Sequence, residues 1–262
     1  MSVALAELVT TEVQTKPSKL IIVGPPGIGK SSLIGNIHKV LIAAMRREDT
    51  WGLLKRSGAV PADLAVLKKP IDQWVDMVTL VETLASENVK HDYKCLAIDS
   101  LTPLEHVLFA HVCQTRFGGD QEKFMSFYKG PAEAARQWAD FLSTLDRLRD
   151  FKNMAIVMTA HQGTKNEANP EGDDYSKLVA TNDDRLWKRT TAWADAVLFA
   201  RYKTVTKDGK IIGGAKRVLM TGGVAACDAK NRMDLKGEID MGATGKEAWD
   251  NLSTAIRTSL GG

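Results

Sequence analysis

The sequence contains few cysteines, no long apolar segment and almost no excess of charge, and each absence narrows the classes of protein to consider. Its three cysteines lie far apart among 262 residues and lack metal-ligand spacing, which favours reduced thiols inside a cell. No run approaches the roughly 20 apolar residues of a membrane helix. The N-terminus lacks the basic start of a secretion signal. We therefore expect a cytoplasmic protein with no membrane partner.

Net charge and chain length restrict the partner class and the number of domains only broadly. Lys and Arg number 35 against 32 Asp and Glu, so the net charge of +3 does not by itself indicate a nucleic-acid partner. With 44% hydrophobic residues the chain can bury a full core, and it shows no internal repeat, low-complexity tract or linker. We expect one domain over residues 1–262, made of an extension (1–18), a core (19–240) and a C-terminal helix (241–262).

The stretch LIIVGPPGIGKSS, residues 20–32, joins an apolar strand to a glycine-rich turn and a helix-compatible segment. It matches G-x-x-x-x-G-K-[ST], in which glycines let backbone N–H groups surround an anion and the helix start adds its positive dipole end. A turn that merely joins strand to helix is the alternative; the complete spacing favours a nucleoside triphosphate. The expected cofactor-binding residues are Gly24, Pro25, Pro26, Gly27, Ile28, Gly29, Lys30, Ser31, Ser32 and Asp99.

Two further strands end in polar residues. YKCLAIDS places Asp99 at the carboxyl end of a short apolar strand, where parallel α/β sheets bind ligands, and we expect Asp99 and Ser31 to hold Mg²⁺. The alternative is a helix cap with Glu105 nearby. MAIVMTAHQ ends in His161 and Gln162, where a γ-phosphate could be sensed, although ordinary loop residues would look the same.

The remaining pattern alternates strands and helices, which predicts an α/β fold with a mostly parallel central sheet flanked by helices. Asp208-Gly209 between two alternating runs predicts a β-hairpin near the C-terminus, followed by a helix. Further expected elements are a strand at 39–45, an irregular segment at 48–70, a helix at 71–88, a strand at 93–98, a helix at 103–116, a loop at 117–130, a helix at 131–150, a strand at 154–160, a mobile loop at 163–184, and helices at 185–195 and 246–260.

The phosphate loop, LAIDS, VMTAHQ, WADAVLFARY and AKNR follow one another in this order. With them the chain resembles the RecA-like phage nucleotide-binding proteins of the Sak type, which are small ATPases counted among phage single-strand annealing and recombination proteins. The resemblance covers roughly residues 19–240. It implies a RecA-like P-loop NTPase core, ATP with Mg²⁺, single-stranded DNA as a partner, and a homo-oligomer with nucleotide near the subunit interface. It also implies the host cytoplasm for a phage-encoded chain, and a single-strand binding protein as a possible partner.

The resemblance also implies catalytic roles for individual residues. Lys30 would hold phosphates, Asp99 would hold Mg²⁺ with Ser31, and Gln162 would sense the nucleotide. RecA-like enzymes place a water-activating carboxylate near the end of the second strand, and VLIAAMRREDTW offers Glu48 or Asp49. Two arginines intervene between strand and acid, so DNA-dependent hydrolysis is a weaker expectation than ATP binding. A general base must reach the attacking water at hydrogen-bond distance.

A basic pair lies in DAKNRMD. Lys230 and Arg232 are two residues apart, so in an extended segment both point to the same side. In related ATPases a K-x-R pair of this kind reaches the nucleotide of the neighbouring subunit and stabilises charge on the transferring phosphoryl group. An ordinary solvated turn is the alternative.

Single-strand binders combine cationic grooves with aromatic faces. RFGGDQEKFMSFYKG has that composition, with core packing of its aromatics as the alternative; the basic hairpin could equally be a solvated edge ribbon. The acidic 163–184 segment argues against direct phosphate contact, and the cations just beyond it are better candidates. The expected DNA-binding residues are Arg116, Lys123, Phe127, Lys129, Arg185, Lys188, Arg189, Lys203, Lys207 and Lys210.

Together these features predict an ATPase that binds single-stranded DNA as an oligomer and promotes annealing or strand exchange in phage recombination. Two other classes share the phosphate loop. One is a small-molecule or nucleotide kinase, and the other is a non-hydrolysing, nucleotide-switched module of a replication or packaging machine. Adenine over guanine is carried by the resemblance, because the sequence has no guanine-reading N-K-x-D motif.

Overall fold

The computed structural model describes residues 16–46, 50–169, 172–203, 205–207, 210–213, 216–223, 227–259 and 261. The strands are β1 (Lys19–Gly24), β2 (Val40–Ala44), β3 (Ala65–Val66), β4 (Cys95–Asp99), β5 (Ala155–Glu167), β6 (Tyr175–Ala180), β7 (Ala196–Tyr202), β8 (Val205–Lys207), β9 (Lys210–Gly213), β10 (Arg217–Met220), β11 (Lys230–Asn231) and β12 (Glu238–Asp240). The helices are α1 (Lys30–Ile34), α2 (Trp51–Arg56), α3 (Trp74–Ala85), α4 (Leu101–Phe117), α5 (Gln121–Met125), α6 (Lys129–Lys152), α7 (Asp184–Trp193) and α8 (Gly245–Ser259). A 3-10 turn, Ser126–Tyr128, links α5 to α6.

One large sheet organises these elements. Its strand order is β12-β10-β7-β1-β5-β4-β2-β3, with β6 paired to β5 and β11 paired to β7. From β7 to β3 neighbouring strands are parallel, whereas β10 and β12 add an antiparallel edge. The predicted mostly parallel α/β sheet is confirmed. Because β1 lies between β5 and β7, the turn that follows β1 lies in the middle of the sheet's carboxyl edge.

The apolar runs of the strands reflect a sheet covered on both faces. Ile21 and Val23 point into a core with α3, α4 and α6, whereas Leu20 and Ile22 point into a core with α1 and α8. The first core contains an aromatic cluster of Trp74, Trp138 and Phe141. Among the described residues, every helix is too short or too polar to cross a lipid bilayer.

The helix after the phosphate loop ends at Ile34, and Asn36 turns back to donate to the carbonyl oxygens of Ser32 (2.7 Å) and Ala59 (2.9 Å). Two connecting segments differ from the sequence-based expectation. The segment 48–70, expected to be irregular, contains α2 and β3. The expected loop at 117–130 contains α5 and the 3-10 turn, where the buried side chain of Phe124 anchors the segment in the core.

The expectation of a mobile loop at 163–184 is wrong. β5 continues past the sheet to Glu167 and pairs antiparallel with β6, forming a two-stranded arm. Most side chains near its tip are exposed, and the two strands do not alternate apolar and polar residues as the strands of a half-buried sheet do. Backbone hydrogen bonds between β5 and β6 hold the arm together. Residues 170 and 171, at the tip, lie outside the described residues.

The C-terminal elements agree with the sequence pattern. β8 and β9 pair antiparallel as the predicted hairpin, and its Asp208-Gly209 turn lies outside the described residues. α8 corresponds to the expected last helix and buries Ala248 and Leu252 in the core that it shares with α1.

Candidate nucleotide-binding site

The phosphate loop, residues 24–31, owes its shape to its glycines. Gly27 (φ 77°) and Gly29 (φ 102°) have left-handed backbone conformations, which residues other than glycine rarely adopt. A Cβ on Gly24 would lie 2.8 Å from the carbonyl oxygen of Ala200 in β7, so only glycine allows this close approach. The fully buried Ile28 side chain fastens the loop to the core. The loop is therefore a fixed turn with its backbone exposed to a ligand.

Lys30 supplies positive charge inside this loop. Its side chain is buried, and its ammonium group donates to the carbonyl oxygens of Gly24 (2.6 Å) and Pro25 (3.0 Å). Pro26 and Gly27 are exposed at the outer rim, and Ser32 follows within α1. An anion in the loop would thus meet a cation already held in place.

Asp99 lies beside the loop at the end of β4 and is almost fully buried. Ser31 Oγ donates to Asp99 Oδ2 at 2.8 Å, and the hydroxyl of Thr159 in β5 donates to Oδ1. Hydroxyl and carboxylate oxygens are ligands that Mg²⁺ prefers. Sequence reasoning missed Thr159, although a hydroxyl in the apolar run MAIVMTA was a usable signal.

These residues fit a nucleoside triphosphate with Mg²⁺. The left-handed glycines and Lys30 suit phosphate oxygens, and Ser31 with Asp99 suits the metal ion. The chain matches the family model for the AAA domain over residues 16–233. It belongs to the AAA domain family of P-loop NTPases. No curated protein matches it.

Membership of the AAA family implies that the protein binds nucleotide, and AAA domains generally use ATP with Mg²⁺. The match ends at residue 233, so β12 and α8 lie beyond it. The match does not distinguish Sak-type phage proteins from other AAA proteins, so that resemblance stays a prediction.

Gln162, the expected sensor, lies at the sheet edge that carries the phosphate loop of the AAA domain. In the register of β1 and β5, Gly24 pairs with His161, and Gln162 follows directly. The side-chain oxygen of Gln162 is buried and has no hydrogen-bond partner among the described residues. Its position suits a sensor, and that role stays a prediction.

Glu105 joins this site to α7. α4 begins two residues after Asp99, and Glu105 on α4 accepts hydrogen bonds from the backbone N–H of Asp183 (2.9 Å) and from Asn182 Nδ2 (3.2 Å). Burial raises the pKa of Glu105 to about 7, against the lowering effect of both donors. The sequence alone suggested only a capping role for Glu105; the structure shows that it fastens α4 to the turn before α7.

The acids expected to activate water follow β2 in the sequence. β2 pairs with β4 so that Ala44 lies beside Asp99, which brings the end of β2 to the nucleotide site. Glu48 and Asp49 lie outside the described residues, and their role stays a prediction.

The Lys230–Arg232 pair lies at the amino ends of the parallel strands, opposite the carboxyl edge that carries the phosphate loop. β11 pairs with the first residues of β7, which in turn lie beside the start of β1, so the length of β1 separates the pair from the phosphate loop of its own chain. Arg232 is exposed. Burial and the neighbouring Arg232 lower the pKa of Lys230. Lys230 caps α7 by donating to the carbonyl oxygens of Thr191, Ala192 (3.1 Å) and Ala194 (2.7 Å).

Two of the predicted DNA-binding segments lie next to each other in the AAA domain. Phe127 and Tyr128 are 89% and 60% exposed, and both have left-handed backbones. Lys129 Nζ lies 5.9 Å from the ring centroid of Phe127, and the guanidinium of Arg185 lies 5.1 Å from that of Tyr128. Lys188 is exposed on the same helix as Arg185. We call Phe127, Tyr128, Lys129, Arg185, Lys188 and the equally exposed Arg189 the aromatic–cation surface.

The other cations of the first segment are engaged in ion pairs. Arg116 pairs with Glu133 at 3.3 Å, and Lys123 pairs with Asp120 at 3.1 Å. Phe124 is buried and packs against two other phenylalanines, as the core-packing alternative expects.

The basic hairpin is only partly described. Lys203 pairs with Glu238 at 2.7 Å. Lys207 and Lys210 face each other in the backbone ladder of β8 and β9, and their side chains lie outside the description. Arg217, which follows the hairpin at the start of β10, reaches the phosphate loop.

Proposed function

We propose that this AAA protein binds single-stranded DNA under the control of ATP and promotes annealing or strand exchange in phage recombination as a homo-oligomer. The aromatic–cation surface is the observation that carries the proposal. It offers ring faces for bases and cations for phosphates within one short stretch of surface, which is the combination that single-strand binders use.

Phe127 is the most exposed large apolar side chain of this surface. A phenylalanine that is 89% exposed gains little from burial, and its left-handed backbone adds conformational cost. Lys129 and Arg185 flank the rings and would attract a polyanion. A protein partner would also favour exposed rings, but a cluster of cations around them favours a nucleic acid.

The lysines of the neighbouring β5–β6 arm are neutralised by ion pairs, which disfavours the arm as a DNA-binding surface. Lys165 on β5 is paired with Asp184 at 3.2 Å, and Lys177 on β6 is paired with Asp228 at 3.0 Å, so the arm's described lysines are compensated. A DNA strand would therefore run along the start of α6 and the exposed side of α7 rather than along the arm.

A chain of contacts connects the nucleotide site to the aromatic–cation surface, so that bound nucleotide would change the affinity for DNA. Asp99 leads into α4, Glu105 on α4 holds the turn before α7, and Arg185 lies in the first turn of α7. A shift of α4 on nucleotide binding would thus move part of the aromatic–cation surface. We expect ATP and ADP to give different DNA affinities.

The proposal can be tested by fluorescence anisotropy with a labelled oligothymidine. The double variant Phe127→Ala/Tyr128→Ala should bind at least about tenfold more weakly, because each stacked base contributes about 1–3 kcal/mol. Phe151→Ala is the matched control, since Phe151 is 71% exposed near the far end of α6. Affinity should fall with salt at a log–log slope near −0.7 per neutralised phosphate. Equal affinities of the double variant and the wild type would refute the assignment of the surface.

ATP hydrolysis distinguishes the proposal from its rivals. Turnover should rise with single-stranded DNA and steeply with protein concentration, and Lys30→Ala should abolish it. Turnover indifferent to DNA, with phosphoryl transfer to a nucleoside or nucleotide, would instead indicate a kinase. Tight binding of ATP without turnover would indicate a nucleotide-switched module.

A further inference from the structure

Arg217 extends from β10 to the phosphate loop. Its Nη1 donates to the carbonyl oxygen of Ile28 at 3.1 Å, and its Nη2 donates to the carbonyl oxygen of Gly242 at 2.9 Å. A Cβ on Gly29 would lie only 2.5 Å from Nη1, so the guanidinium packs directly on the loop backbone. Glycine at position 29 thus serves two needs, its left-handed φ and the space for Arg217.

The bond to Ile28 orients one donor of the loop. The carbonyl of Ile28 and the N–H of Gly29 belong to the same planar peptide unit, and in a trans peptide they point in opposite directions. A guanidinium that holds the carbonyl on one side therefore directs the Gly29 N–H to the other. Preorganised backbone donors of this kind are what bind phosphate oxygens in such loops.

Arg217 also brings a permanent positive charge to the loop, because a guanidinium stays protonated in proteins. The side chain is half-buried, so solvent screens this charge less than that of a surface arginine. The adjacent acid, Asp240, is paired with Lys216 at 2.9 Å and accepts from the N–H of Gly242 at 2.9 Å.

The second partner of Arg217 belongs to the C-terminal segment, residues 238–259, which contains β12 and α8. The N–H of Met241 donates to the Arg217 carbonyl oxygen at 2.9 Å. α8 begins against α1 so closely that a Cβ on Gly245 would lie 2.4 Å from the carbonyl oxygen of Ser32. This segment contacts the helix that carries Ser31, yet it lies beyond the AAA match that ends at residue 233.

We propose that Arg217, fastened to the C-terminal segment, is a positioning residue that holds the phosphate loop in its anion-binding shape. The ligand it serves is the phosphate chain of the nucleotide. This inference rests on nucleotide binding by the AAA domain and is independent of the proposed DNA binding.

The test compares Arg217→Lys and Arg217→Ala with Arg201→Ala. Arg201 is a suitable control because it lies on the neighbouring strand β7 and pairs with Glu238 at 2.6 Å. We expect both Arg217 variants to bind a fluorescent ATP analogue and inorganic pyrophosphate at least about tenfold more weakly, and the control to bind within about twofold of wild type. Lysine keeps the charge but cannot bridge two carbonyls in a fixed fork, so Arg217→Lys carries the test if Arg217→Ala does not fold.

A second readout needs no ligand. Hydrogen–deuterium exchange of peptides covering residues 24–32 should be faster in the nucleotide-free Arg217 variants than in the control. Recovery of ATP affinity by added methylguanidinium in Arg217→Ala would support the inference. Wild-type affinity together with unchanged loop exchange in the Arg217 variants would overturn it, whereas equal binding by wild type and Lys30→Ala would overturn the nucleotide site itself.

Discussion

Replacing Glu105 with glutamine should change how the stability of the protein depends on pH. The Glu105 side chain is 5% exposed and accepts two hydrogen bonds from the turn before α7. Burial raises its pKa from the usual 4.5 to about 7. Glutamine has nearly the same shape and keeps a carbonyl oxygen for the Asp183 N–H, but it cannot ionise.

Whether stability rises or falls with pH depends on which state, folded or unfolded, binds the proton of Glu105 more tightly. Below pH 4.5 the carboxyl group is protonated in both states and stability does not depend on it. Between pH 4.5 and about pH 7 the unfolded chain loses this proton while the folded chain keeps it, so rising pH favours unfolding. At about 1.4 kcal/mol for each pKa unit, the raised pKa removes about 3 kcal/mol of stability by pH 8. The glutamine variant avoids this loss.

Urea unfolding of wild type and Glu105→Gln at several pH values between 4.5 and 8 measures the effect. The difference in unfolding free energy between variant and wild type should increase by about 3 kcal/mol across this range, in favour of the variant. Glu82→Gln, at an exposed position of α3, controls for the general loss of a carboxylate. Curves for wild type and Glu105→Gln that stay parallel over the whole range would refute the assignment of a buried, protonated Glu105.

Two further predictions concern single hydrogen-bonding groups. Thr159→Val removes the hydroxyl donor to Asp99 in a buried site, and we expect a loss of about 1–3 kcal/mol in urea unfolding; a loss under about 0.5 kcal/mol would contradict the contact. Lys230→Met removes the cap on α7 and should cost about 1 kcal/mol in thermal unfolding. If Lys230 also acts on a neighbouring subunit, this variant loses the steep concentration dependence of turnover; unchanged turnover would leave the cap as its only role.

The sequence predicts most clearly those features that one contiguous stretch contains. The phosphate loop needs only its strand, its glycines and Lys30, all within 24–31 and the strand before it. α6 and α8 were located to within a few residues because their apolar spacing is regular. The arm of β5 and β6 was not predicted, because β5 extends past the sheet and pairs there with β6, where no buried face imposes an alternating pattern on the side chains.

The sequence by itself determined the strand-loop-helix, because glycine spacing and the residues around it are local, and it identified an aspartate at the end of a later apolar strand as a candidate to accompany the loop. Only the tertiary structure decided which distant side chains complete the site. Thr159 lies 60 residues from Asp99, and Arg217 lies 189 residues from Ile28. Such contacts depend on which strands become neighbours in the sheet, and no spacing along the chain records that choice. The tertiary structure likewise brings Arg185 beside Tyr128 and puts Lys230 at the amino ends of the strands, away from the loop.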